Sequence, residues 1–124
     1  MDTRNKIISL EAARELPAPL AMVTGYFDVL RADHIHQLEA ARTAAPDARL
    51  LVVILNPENG VLDAHARAEM AAALRLVDHV VIAEPEEARA LFDALRPAYL
   101  AHLAELEDRE MSALREHVRR RQTC

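Results

Sequence analysis

Within the ten residues Gly25–His34, GYFDVLRADH, stand a glycine, two carboxylates, an arginine and a histidine. Five mostly apolar residues precede them and an amphipathic pattern begins near Asp33, so the stretch reads as strand, loop and helix. Such a unit presents loop amides and a helix N-terminus at the carboxyl edge of a sheet, where anions and above all phosphate are favoured. Each polar residue has two readings. His34 is a phosphate ligand or an exposed first-turn histidine. Arg31 contacts an anion or pairs with Asp28 or Asp33. Asp28 orients His34, binds Mg²⁺, or only caps backbone N–H groups of the turn.

Other reactive groups do not assemble. His34 and His36, two apart on a helix, point about 200° away from each other, which argues against a shared metal. His65, His79, His102 and His117 show no ligand spacing and read as structural or exposed. The one cysteine, Cys124, forms neither an internal disulfide nor a cysteine metal site, and a reduced, cytoplasmic setting is the expectation. No metal site is expected from the protein's own side chains.

The elements that must position Gly25–His34 follow from apolar patterning and turn residues. Ser9 caps a helix to about Leu16, with Pro17 and Pro19 ending it. Leu20–Thr24 is a strand buried on both faces. Asp33 caps the next helix, whose apolar stripe is Ile35, Leu38, Ala41 and Ala45. Arg49–Leu55 is the strongest strand, continuous and rich in branched residues. Asp63 caps a third helix with Ala66, Met70, Ala73, Leu74 and Val77 facing inward. Asp78–Ala83 is the third strand. Pro85 opens a fourth helix lined by Ala88, Leu91, Phe92 and Leu95, and Pro97–Ala101 is a short fourth strand. From about Ala104 a charged helix runs to residue 121 with Met111, Leu114 and Val118 as its apolar contacts, either folded back on the domain or forming a homodimer.

Strands alternating with helices predict a single α/β domain over residues 1–124: a Rossmann-like three-layer α/β/α sandwich with a mostly parallel sheet of about four strands and an extra C-terminal helix. The net charge of −5 argues against a nucleic-acid or anionic-membrane surface. Arg119–Arg121 end a predicted helix, where cations complement the dipole. No apolar run approaches the roughly 20 residues that span a bilayer, and no signal peptide is read at the N-terminus.

The run Gly25-Tyr26-Phe27-Asp28-Val29-Leu30-Arg31-Ala32-Asp33-His34 resembles the cytidylyltransferase-like nucleotidyltransferases, whose signature here is G-x-F-D-x-x-H-x-G-H. The likeness is greatest to heptose-1-phosphate adenylyltransferases and glycerol-3-phosphate cytidylyltransferases. It extends to Lys6–Glu11, to Leu51–Asn56, and to Arg67-Ala68-Glu69-Met70 with Leu74–Val81, covering about residues 6–100. The resemblance implies a nucleoside triphosphate whose α-phosphorus is attacked by a sugar or polyol phosphate, with pyrophosphate leaving and Mg²⁺ assisting. By position, His34 matches the second histidine of the signature, and Gly25, Tyr26, Phe27 and Asp28 match the strand exit. Asn56 matches the residue after the second strand, and Arg67 an arginine near the phosphates, with a solvated helix-face arginine as its plain alternative.

Three departures shape the functional expectation. Arg31 stands where the signature has its first histidine. Asp33 replaces the signature glycine and sets a carboxylate where phosphate approaches. Two unit charges about 4 Å apart repel by roughly 4 kcal/mol at an effective dielectric near 20, on the order of a thousandfold in affinity. Neither the family's lysine-containing loop between Asn56 and Arg67 nor its Ser/Thr-rich turn after Leu100 has a counterpart. The expectation is a nucleotidyltransferase frame with weak or no transfer and residual phosphate binding. The alternatives are a shortened active transferase in which Arg31 replaces the histidine, and a non-catalytic homodimeric module.

Overall fold

The structure is a computed structural model that describes residues 2–27, 30, 32–55 and 63–103. After a 3-10 turn at Thr3–Lys6 the elements are α1 (Leu10–Arg14), β1 (Leu20–Gly25), α2 (Ala32–Ala44), β2 (Arg49–Leu55), α3 (Ala64–Ala72), β3 (His79–Ala83), α4 (Pro85–Leu95) and β4 (Tyr99–His102). The four strands form one sheet in the order β3-β2-β1-β4, and every pairing is parallel.

Parallel strands need covered faces, and alternation divides the core into two layers. Ala21, Val23, Leu50, Val52, Ile54 and Val80 pack under α2 and α3, together with Leu38, Ala41, Ala68 and Ala71. Leu20, Met22, Leu51, Val53 and Val81 face the other way, against Ala13 of α1 and Ala88 and Leu91 of α4. A three-layer α/β/α arrangement results. The outer edge of β3 is met by the N-terminal segment, where Ile8 N–H donates to the Val80 carbonyl at 2.8 Å.

Ser9 and Asp63 cap α1 and α3 as their sequence context predicts, each side chain accepting the backbone N–H three residues on. Glu84 and Glu87 form a reciprocal capping box at α4, with Pro85 in the first turn.

Four expectations change. Asp33 is not the cap of α2: the helix already includes Ala32, so Asp33 lies in its first turn and is exposed. The inner face of α3 is Arg67, Ala68, Ala71 and Ala72, while Met70 and Leu74 sit at the margin and Ala73 is exposed. Small alanines let this helix approach β2 and β3 closely, which larger side chains on the same face would prevent. Phe92 is not packed inward but is 36% exposed. The last strand starts at Tyr99 rather than Pro97, because Arg96 takes a left-handed conformation (φ 44°) after α4 and delays the extended chain.

The predicted C-terminal helix, with Met111, Leu114 and Val118, lies outside the described residues. Among the described residues no helix is long and apolar enough to cross a membrane.

Candidate functional site

The carboxyl ends of the strands carry the candidate residues, and a chain of contacts joins them. Gly25 closes β1 in register with Ile54 of β2, buried and in ordinary extended geometry. The left-handed residue of the exit is Phe27 instead, at φ 52°. A bulky side chain tolerates that conformation only where its surroundings determine it. Here the Phe27 ring is fully buried in the α2/α3 layer, so packing of the ring holds the turn in shape.

His34 sits on that ring. The two ring centroids are 5.1 Å apart with planes inclined by 40°, a tilted aromatic pair. His34 is only 5% exposed. The exposed first-turn alternative is therefore overturned: Phe27 draws the imidazole into the core at the start of α2. The first turn of this 13-residue helix also lies at the positive end of the helix dipole. The exposed Asp33 carboxylate shares that turn.

Arg67 is the second correction. It is not a solvated helix-face arginine but is fully buried. Its guanidinium donates to the Tyr26 carbonyl at 3.0 Å and the Leu55 carbonyl at 2.7 Å through Nη1, and Nε reaches the Asp63 carbonyl at 3.4 Å. The exits of β1 and β2 and the start of α3 are thereby tied to one planar cation. Leu55–Arg67–Tyr26–Phe27–His34 is a continuous contact path across the carboxyl edge. Asp28, Arg31 and Asn56 lie outside the described residues.

A feature the sequence reading passed over lies on the opposite face. Thr24 and His102 are register partners on β1 and β4, and Thr24 Oγ1 lies 2.5 Å from His102 Nδ1. They border a cavity of about 440 Å³ whose other lining includes Met22, Leu55, Phe92 and Leu100. The two residues are 78 apart in sequence, so only the parallel pairing of β1 with β4 reveals them. Among the described residues no cluster of three or more His, Cys, Asp or Glu is arranged to hold a metal ion.

The cytidylyltransferase-like family model matches residues 22–122. The chain belongs to the cytidylyltransferase-like family. Relatives agree with the match. A bifunctional protein HldE from Pelobacter propionicus is 33% identical over 104 residues, covering 76% of this chain and 21% of that protein. An FAD synthase from Pyrococcus abyssi is 34% identical over 107 residues, covering 79% of this chain and 70% of the relative. This chain thus spans about a fifth of the HldE proteins it matches. The crystal structure of a lipopolysaccharide core biosynthesis protein from Thermoplasma volcanium superposes with a TM-score of 0.57 at 22% identity, covering 64% of this chain and 70% of that one, and shows the same fold.

In this cytidylyltransferase-like domain the exit of β1, the buried His34 and Arg67 of α3 form one connected cluster. In this domain Arg67 holds backbone carbonyls, which makes it a support of the two loops.

Proposed function

We propose that this domain binds nucleoside triphosphate weakly and transfers a nucleotidyl group slowly or not at all. The observation that carries the reading is Asp33, an exposed carboxylate in the first turn of α2 where the family signature has glycine. A carboxylate there satisfies the helix dipole itself and repels the incoming phosphates. Arg31 in place of the first signature histidine supplies charge for binding but a different shape of support for the reacting phosphate.

The relatives named for HldE and FAD synthase support a nucleotide and a phosphorylated acceptor as the ligand kinds. In the reaction the family implies, an acceptor phosphate oxygen forms a bond to the α-phosphorus, and the bond to the departing pyrophosphate breaks. Mg²⁺ fits this domain as an ion that arrives with the triphosphate, since such ions take their ligands from phosphates, waters and one or two carboxylates. Asp28, the other carboxylate of the Gly25–His34 run, is the side chain that would hold it. When bound, the ion neutralises charge on the phosphates.

Calorimetry with ATP and CTP in the presence of Mg²⁺ tests the reading. The expected result is weak binding that tightens at least tenfold in Asp33→Gly. Rapid pyrophosphate release by the unmodified chain with a sugar phosphate would refute it. That outcome, coupled with loss of turnover in Arg31→Ala, would instead establish the shortened active transferase, which the intact Phe27–His34–Arg67 frame favours as second reading.

A further inference from the structure

The two faces of the sheet are covered unequally. On one face α2 packs on β1 and β4, and α3 on β2 and β3. On the other, among the described elements, α1 and α4 pack on each other and mainly on β2 and β3. The cavity opens over the β1/β4 half of that second face, between Met22 and Leu100 of the sheet and Phe92 of α4. Leu100 is half-buried, and Phe92 is the one large hydrophobic side chain exposed among the described residues. Parallel sheets are covered on both faces, so this half calls for a cover.

The chain passes beside the gap as it leaves the sheet. Leu103 N–H donates to the Thr24 carbonyl at 2.7 Å, one residue beyond His102, which borders the cavity. Residues 104–124 follow from that rim. The four residues of β4 extend about 13 Å, a length that a helix covers in about nine residues. Residues 104–121 are therefore long enough to turn at the rim and run back along β4. Their pattern suits the surface: Met111, Leu114 and Val118 repeat at helical spacing as one apolar stripe about 10 Å long. Charge agrees with the fit. The rim residues Arg89 and Asp93 are exposed and of opposite sign, and Glu110 and Arg115, which flank the stripe on a helix, also carry both signs.

We propose that residues 104–121 fold back as an amphipathic helix over the β1/β4 half of the sheet, seating Met111, Leu114 and Val118 against Phe92 and Leu100. The occupant is this chain's own segment because it starts at the rim. Closing so short a loop costs little chain entropy, whereas a second copy loses translational and rotational freedom on docking. The contact does not depend on the function proposed above.

The chain contains no tryptophan, so Phe92→Trp places a single fluorescent reporter at the cavity. In the full chain acrylamide quenches this indole severalfold less than free tryptophan. Leu114→Asp or Met111→Asp in that background raises quenching severalfold and shifts emission to the red. Glu116→Gln, on the opposite side of the helix, changes neither. An indole as open to acrylamide in the full chain as free tryptophan overturns the proposal whatever the variants do, and so does shielding that both aspartate variants leave intact. Shielding lost on dilution, with a dimer in sedimentation at the higher concentration, assigns the cover to a second copy and overturns it as well. A short thiol crosslinker applied to Arg89→Cys with Leu114→Cys, in a Cys124→Ser chain, gives an independent reading that needs no aspartate variant to fold. A crosslinked monomer is expected, and its absence overturns the proposal.

Discussion

The two ends of the sheet are both held by an arginine, and the two arginines do different work. At the amino edge, Arg42 of α2 meets Asp78 just before β3 at 2.9 Å and donates to the Ala48 carbonyl at 3.2 Å. The same Asp78 oxygen accepts Leu50 N–H at 2.8 Å. Both side chains of this pair are about one-third exposed, at 36% and 34%, so water screens the attraction. At the carboxyl edge Arg67 is fully buried, and its described partners are carbonyls rather than a half-solvated carboxylate. The amino edge tolerates loss of its arginine because solvent replaces it. The carboxyl edge is the more sensitive, because the fully buried Arg67 makes several charge-assisted bonds at once and its removal leaves a cavity together with unpaired carbonyls.

That contrast predicts a graded response in chemical denaturation. Arg67→Ala is the largest, about 3 kcal/mol or more, from charged-donor hydrogen bonds at 1.5–3 kcal/mol each. Arg67→Lys recovers only part, since one ammonium cannot span carbonyls as a planar fork does. A loss under about 1 kcal/mol for Arg67→Ala would break the comparison. Asp78→Asn comes next, at about 1–2 kcal/mol, because it weakens both the ion pair and the bond from Leu50 N–H. Arg42→Ala costs under about 1 kcal/mol, an effect that shrinks further with added salt.

The smallest effect concerns pH. Burial, reinforced by the nearby Arg49 charge and opposed by Asp78, pulls the His79 pKa below its ordinary value of 6.5. Its Nε2 is buried without a hydrogen-bond partner among the described residues. The unfolded chain then takes up a proton more readily than the folded one. Stability is therefore flat above about pH 6.5 and falls as pH drops from there towards the lowered folded value. Melting temperatures at pH 7.5 and 5.5 should differ less in His79→Gln than in the parent. An equal drop in both would assign the acid sensitivity elsewhere.

Leu55 takes part in both faces of the carboxyl edge. Its carbonyl is held by Arg67, while its side chain lines the Phe92 cavity. Thr24 likewise pairs with His102 one residue before Gly25.

Most of the frame was legible from local signals. Branched apolar runs located β2 and β3 to within a residue, Ser9 and Asp63 announced their helix starts, and Pro85 with Glu84 opened α4. These features depend on neighbours a few residues away, which a sequence displays directly. The inward face of α3 was not legible. Periodicity assigned Ala66, Met70, Ala73, Leu74 and Val77 to the core, whereas of these the fold fully buries only Val77, and the helix itself buries Arg67, Ala68, Ala71 and Ala72. The same limit hid the surroundings of His34, whose burial depends on a ring seven positions earlier held in a left-handed turn.

From residues alone came the alternating strands and helices, the resemblance of Gly25–His34 to a phosphate-handling signature, and the placement of Asp33 at the start of a helix. These are properties of short segments and their chemistry. Tertiary structure alone decided that Arg67 supports backbone carbonyls, that His34 rests on Phe27, and that Thr24 meets His102 beside a cavity. Each depends on which strands become neighbours and how closely a helix settles on them, and those distances are set by packing of the whole core rather than by any one segment.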